Sequence, residues 1–371
     1  MNINTRIAFR SLIVLLFACG MLCAVPGISR HLVKKPKVKK AKNIIFLIGD
    51  GMGTAQIYAG LTSAGKLNLE RFKVIGFSKT NSSNDYITDS AAGATAFSIG
   101  EKTYNGAIGV DATGAAKPTI LEIAEKNGLA TGLVATCSIT HATPASFIAH
   151  VKSRSQDEDI AADFLKTDID LFIGGGRKFF EKRKDNRDLT KELAANKYAL
   201  KYKLEDVEAS GDNKIAALLA DESLPKMSEG RGDMLPRSTT AAVNMLHNNK
   251  KGFFLMVEGS QIDWGGHDNT SSYIISEMVD FDQAVGKALD FAEKDGETLV
   301  VVTADHETGG YTLVGGNFEK KEVEAKFTTT HHTAVMVPVF AYGPGAEAFA
   351  GIYHNNTIFN KFMEAYGFKK P

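Results

Sequence analysis

Acids and imidazoles recur where short apolar runs of this chain end. The run Asn43–Ile48 leads into Gly49-Asp50-Gly51-Met52-Gly53-Thr54, which sets a carboxylate between glycines. A dinucleotide fingerprint would need a third glycine where Thr54 stands, so that reading fails. A small-residue turn instead leaves room for Asp50 to meet a ligand or a metal. The run Thr298–Thr303 continues as Ala304-Asp305-His306-Glu307, an oxygen ligand beside an imidazole, which is a pair that suits zinc. Phe253–Val257 opens into Glu258, Asp263 and His267. The last two are four residues apart, and a helical turn would bring both to one ion. His331 and His332 precede the final apolar run. Mixed Asp, Glu and His ligands at three separate run ends are poorly explained by structural needs, and they point to a multinuclear metal site.

A reaction also needs a nucleophile or an acid-base pair. Thr88-Asp89-Ser90-Ala91-Ala92-Gly93 places Ser90 at the start of an alanine-rich, helix-forming run. There Ser90 is either an N-cap or a nucleophile near backbone N–H groups that favour an anion. It is no lipase-type elbow, because G-x-S-x-G is absent. With a metal nearby, the ion could replace a histidine base by stabilising the alkoxide. Arg154 offers a planar fork for a tetrahedral oxyanion.

The elements that must carry these groups follow from the apolar patterning. Asn43–Ile48, Ala130–Thr136, Leu171–Ile173, Phe253–Val257, Thr298–Thr303 and Val335–Ala341 are continuous apolar or β-branched runs, as expected of strands buried on both faces. Between them lie helical patterns, the clearest over Tyr273–Phe291. Alternation of the two predicts an α/β protein: a three-layer α/β/α sandwich around a mostly parallel central sheet. In such sheets ligands bind beyond the carboxyl ends of the strands, where the acids and histidines fall. The polar stretch from Glu181 to Glu229 reads as surface helices and loops.

Composition agrees. The chain has 371 residues, 44% hydrophobic and 23% charged, which excludes disorder. Lys and Arg total 43 and balance 43 Asp and Glu, so no net positive charge favours nucleic acid as a partner. The N-terminus differs from the rest. Arg6 and Arg10 precede the apolar run Ser11–Val25, which reads as a secretory signal over residues 1–25, and Leu16-Phe17-Ala18-Cys19 is loosely like a lipoprotein cleavage box. Residues 26–42 read as a basic linker, and 43–371 as the folded domain. No later run is long enough to span a membrane once the signal is removed. Cys19 and Cys23 lie in the signal, leaving Cys137 without an internal disulfide partner. The expected location is the periplasm or the medium, with a lipid anchor as the alternative.

Taken as a set and in order, Gly49–Gly53, Thr88–Ala92, His141-Ala142-Thr143-Pro144-Ala145, Glu258–His267, Thr303–Glu307 and His332-Thr333 resemble the motifs of alkaline phosphatases. The resemblance implies hydrolysis of small-molecule phosphate monoesters through a phosphoserine on Ser90. It implies two zinc ions, one held by Asp263, His267 and His332 and the other by Asp50, Asp305 and His306. A magnesium ion would sit with Asp50, Thr143 and Glu258. Arg154 would grip the phosphate with Asp89 orienting it, and the chain would be a homodimer. His141 stands near the third site where some bacterial members carry an acid, and Trp264 where they carry a charge. Imidazole is softer than carboxylate, so magnesium preference there should fall. The short interval from His306 to His332 leaves no room for the large insertion of animal members. The alternative within the same superfamily is a phosphodiesterase; Ser90 with Arg154 favours monoesters.

Overall fold

The computed structural model describes residues 40–369, so the segment read as a signal and most of the basic linker lie outside the described residues. The strands are β1 (Asn43–Gly49), β2 (Val74–Lys79), β3 (Ala130–Ser138), β4 (Leu171–Gly175), β5 (Ala199–Lys201), β6 (Ile215–Leu218), β7 (Phe253–Gly259), β8 (Thr298–Thr303), β9 (Glu307–Thr308), β10 (Thr312–Asn317), β11 (Glu322–Lys326), β12 (His332–Thr333), β13 (Val337–Tyr342) and β14 (Gly351–His354). Ten of them form one sheet in the order β14-β2-β13-β8-β1-β7-β3-β4-β6-β5. It is parallel except where β13 runs against both β2 and β8. β10 and β11 make a separate exposed hairpin, and β9 pairs with β12 in a short ladder.

Every residue of β1 is buried, which accounts for its unbroken apolar sequence. Ile44, Phe46 and Ile48 face one core, and Ile45 and Leu47 face the other. On the first face pack helices α2 (Ser90–Ile99), α3 (Ile120–Lys126) and the C-terminal α8 (Thr357–Tyr366), with Phe46 set edge-on to Phe97 and Phe362. On the second face pack α1 (Thr54–Ala64), α5 (Met234–Leu246) and the long α7 (Ser271–Asp295). The three-layer sandwich is therefore as expected. The register matters for the site: Ile48 pairs with Thr303, and Gly49 with Gly259. The carboxyl ends of β1, β7 and β8 thus stand level, and the chain leaves the sheet at one edge just where Asp50, Ser260 and Ala304 follow.

The structure departs from the sequence reading in places. The polar stretch 181–229 contains β5 and β6, which extend the sheet; Ile215–Leu218 is buried but too short to stand out by periodicity. The last internal strand starts at Val337, not Val335, and Val335 and Met336 are exposed. β2 and β14, on the half-exposed side of the sheet, carry no continuous apolar run. Among the described residues no helix is long and apolar enough to cross a membrane.

One polar junction braces the loop beside Arg154. The His150 ring sits between the Gly109 carbonyl, 2.7 Å from Nδ1, and the Glu122 carboxylate, 2.9 Å from Nε2. Burial opposes a charge on His150, but the Glu122 and Gly109 contacts outweigh it and raise the pKa above its ordinary value. A raised histidine pKa stabilises the fold fully below the unfolded value, near pH 6.5, and the contribution disappears as pH climbs through the folded value. Urea unfolding of wild type and His150→Gln should therefore differ by about 1–2 kcal/mol at pH 6. The difference should shrink toward pH 9; a constant or growing gap would contradict the charged pair.

Candidate active site

Two further short helices complete the site: α4 (Ala142–Ala145), after β3, and α6 (Gln261–His267), after β7. Because residues 261–267 do turn helically, Asp263 and His267 face the same point, with His267 Nε2 3.4 Å from Asp263 Oδ2. His332, on β12, brings its Nε2 to 3.4 Å from Asp263 Oδ1. These three side chains form one ligand-sized cluster, and Asp50, Asp305 and His306 form a second. In the second, His306 Nε2 lies 3.2 Å from Asp305 Oδ2 and 3.5 Å from Asp50 Oδ1. The His306 and His332 rings stack with centroids 3.5 Å apart, so the two clusters adjoin. Gly51 lets them approach: it has φ +74°, and a Cβ there would lie 2.7 Å from Asp263 Cα.

The imidazole tautomers follow from their outer partners. Nδ1–H of His267 donates to the Thr330 carbonyl at 2.6 Å, and Nδ1–H of His332 to the Thr88 carbonyl at 2.9 Å. Thr308 Oγ1 donates its single proton to Asp263, so its oxygen is free to accept from His306 Nδ1–H at 3.2 Å. All three Nε2 lone pairs then point inward, the arrangement metal-ligating histidines show. His267 Nε2 and His332 Nε2 are 3.1 Å apart. Two lone pairs cannot share that space unless a proton or a cation lies between them.

A third cluster is formed by Cys137, His141 and Glu258. Glu258 Oε1, Thr143 Oγ1, Asp305 Oδ2 and both Asp50 oxygens are buried and accept or donate no hydrogen bond. Burial first, then the charges of Asp305, Asp263 and Glu258, push the Asp50 carboxyl well above its usual range. Burial likewise raises Glu258 to about 7. Buried acids without donors are costly, and multivalent cations are what such a donor set fits. His141 and Cys137 flank Glu258 in this cluster. Cys137 donates its S–H to Glu258 Oε2 at 3.3 Å, a contact that a lone thiol in the sequence does not signal. Burial, and then Arg154, lower His141 to about 4, so it is neutral at ordinary pH.

Ser90 does not cap its helix. Asp89, not Ser90, is the N-cap of α2, with Oδ1 accepting from Ala92 N at 3.0 Å. Ser90 is the first helical residue, and its hydroxyl donates to His306 Nε2 at 3.2 Å. The other Asp89 oxygen accepts from Gly106 N and from Arg154 Nη1 at 3.1 Å. Arg154 Nη2 also approaches His141 Nε2 at 3.3 Å. The guanidinium is thus aimed from the same residue that caps the Ser90 helix. Sequence reasoning does not find the residues behind the ligands, Gln56, Glu307 and Thr308. Polar residues that hydrogen-bond other protein groups carry no spacing signal.

A family model described as alkaline phosphatase matches residues 41–325. Alkaline phosphatase 4 of Bacillus subtilis (strain 168) is 37% identical, over 88% of this chain and 89% of that protein. The alkaline phosphatase of Escherichia coli (strain K12) is 33% identical, over 89% and 87% respectively. Among solved structures, alkaline phosphatase from the Antarctic bacterium TAB5 matches with a TM-score of 0.86 at 47% identity, covering 90% of this chain and all, 100%, of that one. The TAB5 enzyme is also known as a mutant with one histidine replaced by aspartate and Mg bound in its M3 site. Likeness of this extent, over a chain that gathers the motif residues around one buried centre, means that the protein belongs to the alkaline phosphatase family of phosphate-monoester hydrolases.

Proposed function

We propose that the chain cleaves phosphate monoesters in two in-line displacements at Ser90, and that it takes two zinc ions and one magnesium ion. Asp263, His267 and His332 would hold the first zinc, Asp50, Asp305 and His306 the second, and Asp50, Thr143 and Glu258 the magnesium. When bound, these ions supply Lewis acidity to the phosphoryl oxygens and to the nucleophile. The observation that carries the reading is the Ser90 hydroxyl donating to His306 while Asp89 takes over the helix cap. Ser90 gives up its proton and forms the new P–O bond as the ester oxygen leaves with a proton as alcohol. Water then attacks the phosphoserine, releases inorganic phosphate and restores the hydroxyl. Arg154, held by Asp89, binds two oxygens of the transferring group, and the N-terminus of α2 adds favourable potential.

Ser90→Ala should lower kcat/KM for p-nitrophenyl phosphate by roughly a thousandfold or more. Arg154→Ala should cost about ten- to a hundredfold, the worth of charge-assisted hydrogen bonds to the phosphate. Chelation should abolish turnover and restored metal should return it. Faster hydrolysis of the bis-ester than of the monoester would move the protein to the diesterase reading.

His141 sets the third site apart. A neutral imidazole beside Glu258 weakens the preference for magnesium, and the Mg-bound M3 site of the TAB5 histidine-to-aspartate mutant supports that direction. Zinc-loaded protein should gain activity on added magnesium and lose the ion on dialysis, whereas His141→Asp should retain it. Elemental analysis after dialysis checks this; full activity with zinc alone would contradict it.

In the same reading the chain is an exported homodimer, its residues 1–25 removed as a signal. N-terminal sequencing of periplasmic protein and sedimentation mass are the checks, and retention of Met1 or a monomer would overturn them.

A further inference from the structure

Between the two histidines that face each other across the site lies an acid with no part in the chemistry above. Glu307 follows His306 directly and is buried, only 4% exposed. In the β9–β12 ladder it pairs with Thr333, while Thr308 pairs with His332. Its Oε1 accepts from Gln56 Nε2 at 2.8 Å and from the Tyr311 backbone N–H at 3.0 Å. Its Oε2 accepts from the Thr333 hydroxyl. The same Gln56 amide donates to the Thr308 carbonyl at 2.9 Å. Gln56 is fully buried on α1, the helix that begins four residues after Asp50. One carboxylate therefore joins three segments: the Asp50 turn and its helix, the His306 strand, and the His332 strand.

The packing is shaped around this side chain. A Cβ on Gly53 would come within 2.5 Å of Glu307 Cγ, so the turn after Asp50 is glycine where it meets Glu307. The chain between His306 and His332 needs such a tie. It runs out into the exposed β10–β11 hairpin, and β9 and β12 are only two residues each. A two-residue ladder has little stability of its own. Backbone bonds from Gly309 N–H to the His331 carbonyl and from Thr328 and Thr329 N–H to the Gly309 carbonyl hold the returning chain near β9, and Glu307 is the side chain that ties both short strands to α1.

We propose that Glu307 is a positioning residue of the metal centre: its carboxylate clamps the His306 and His332 strands to α1 and so sets the spacing of the two zinc sites. The proposal rests on the reading that these histidines bind zinc. Outer groups that hold metal ligands typically contribute ten- to a hundredfold in metal affinity, and Glu307 reaches the ligands of both sites through one or two covalent neighbours.

The test is zinc affinity, measured by competition with a chromogenic chelator on wild type, Glu307→Ala, Glu307→Gln and Thr333→Val. Glu307→Ala should bind the weaker-held zinc about ten- to a hundredfold less tightly and release it faster, with monoesterase activity recovering as free zinc is raised. Glu307→Gln keeps an acceptor and should fall between it and wild type. Thr333→Val, nearly isosteric and removing only the strap to the His332 strand, keeps the test sound if the alanine variant folds poorly. A role in folding alone would lower the melting temperature of the metal-free variants while leaving zinc affinity and release unchanged in Thr333→Val and Glu307→Gln, and that result overturns the proposal. If wild type itself takes up no zinc, the functional reading fails instead, which is a distinguishable outcome.

Discussion

Asp50, Glu258, Asp263 and Asp305 are buried at the carboxyl edge of a sheet whose strands are themselves buried, and several of their oxygens find no donor in the protein. Negative charge confined in this way is the constraint on which the rest of the structure depends. It cannot be met by solvent, and the nearby guanidinium of Arg154 is spoken for by Asp89. The Nε2 lone pairs of three imidazoles, aimed by carbonyls and a threonine hydroxyl, face the same centre, and multivalent cations are what such a donor set fits. Such a centre is unfavourable for folding on its own, so the scaffold around it is made of well-packed sheet and helix on both faces.

The same constraint explains how the reactive groups relate to one another. Ser90 can offer its hydroxyl to the centre only because its predecessor Asp89 caps the helix, and that cap also fixes Arg154. Ser90 and Arg154, the proposed nucleophile and phosphate clamp, are therefore coupled through one carboxylate. Glu307 plays a comparable part on the far side, where the chain returns from an exposed hairpin. In both places the acid is distinct from the candidate metal ligands, and each sits next to a candidate site residue in sequence.

Much of this is legible in the order of the amino acids. The continuous apolar runs of β1, β3, β7 and β8 come from burial on both faces, and burial on both faces is what a parallel sheet under two helical layers requires. Residues at the ends of those runs stand out as candidate ligands because Asp, Glu and His rarely cluster there for packing reasons. Strands β2, β5 and β14 are not legible: at least half of each is open to solvent or only partly covered, so no run of apolar residues marks them.

The amino-acid sequence by itself determined the kind of fold and the chemical types gathered at the strand ends, since both depend on local composition and on which faces must be dry. Only the tertiary structure decided that Asp89 and not Ser90 caps the helix, which nitrogen of each histidine faces inward, and that Cys137 lies against Glu258. It alone brought Gln56, Glu307 and Thr333 together, the first two of them 251 positions apart. Those outcomes rest on hydrogen bonds between groups far apart along the chain. No spacing rule governs such bonds, because the sheet register, and not sequence distance, sets which partners meet.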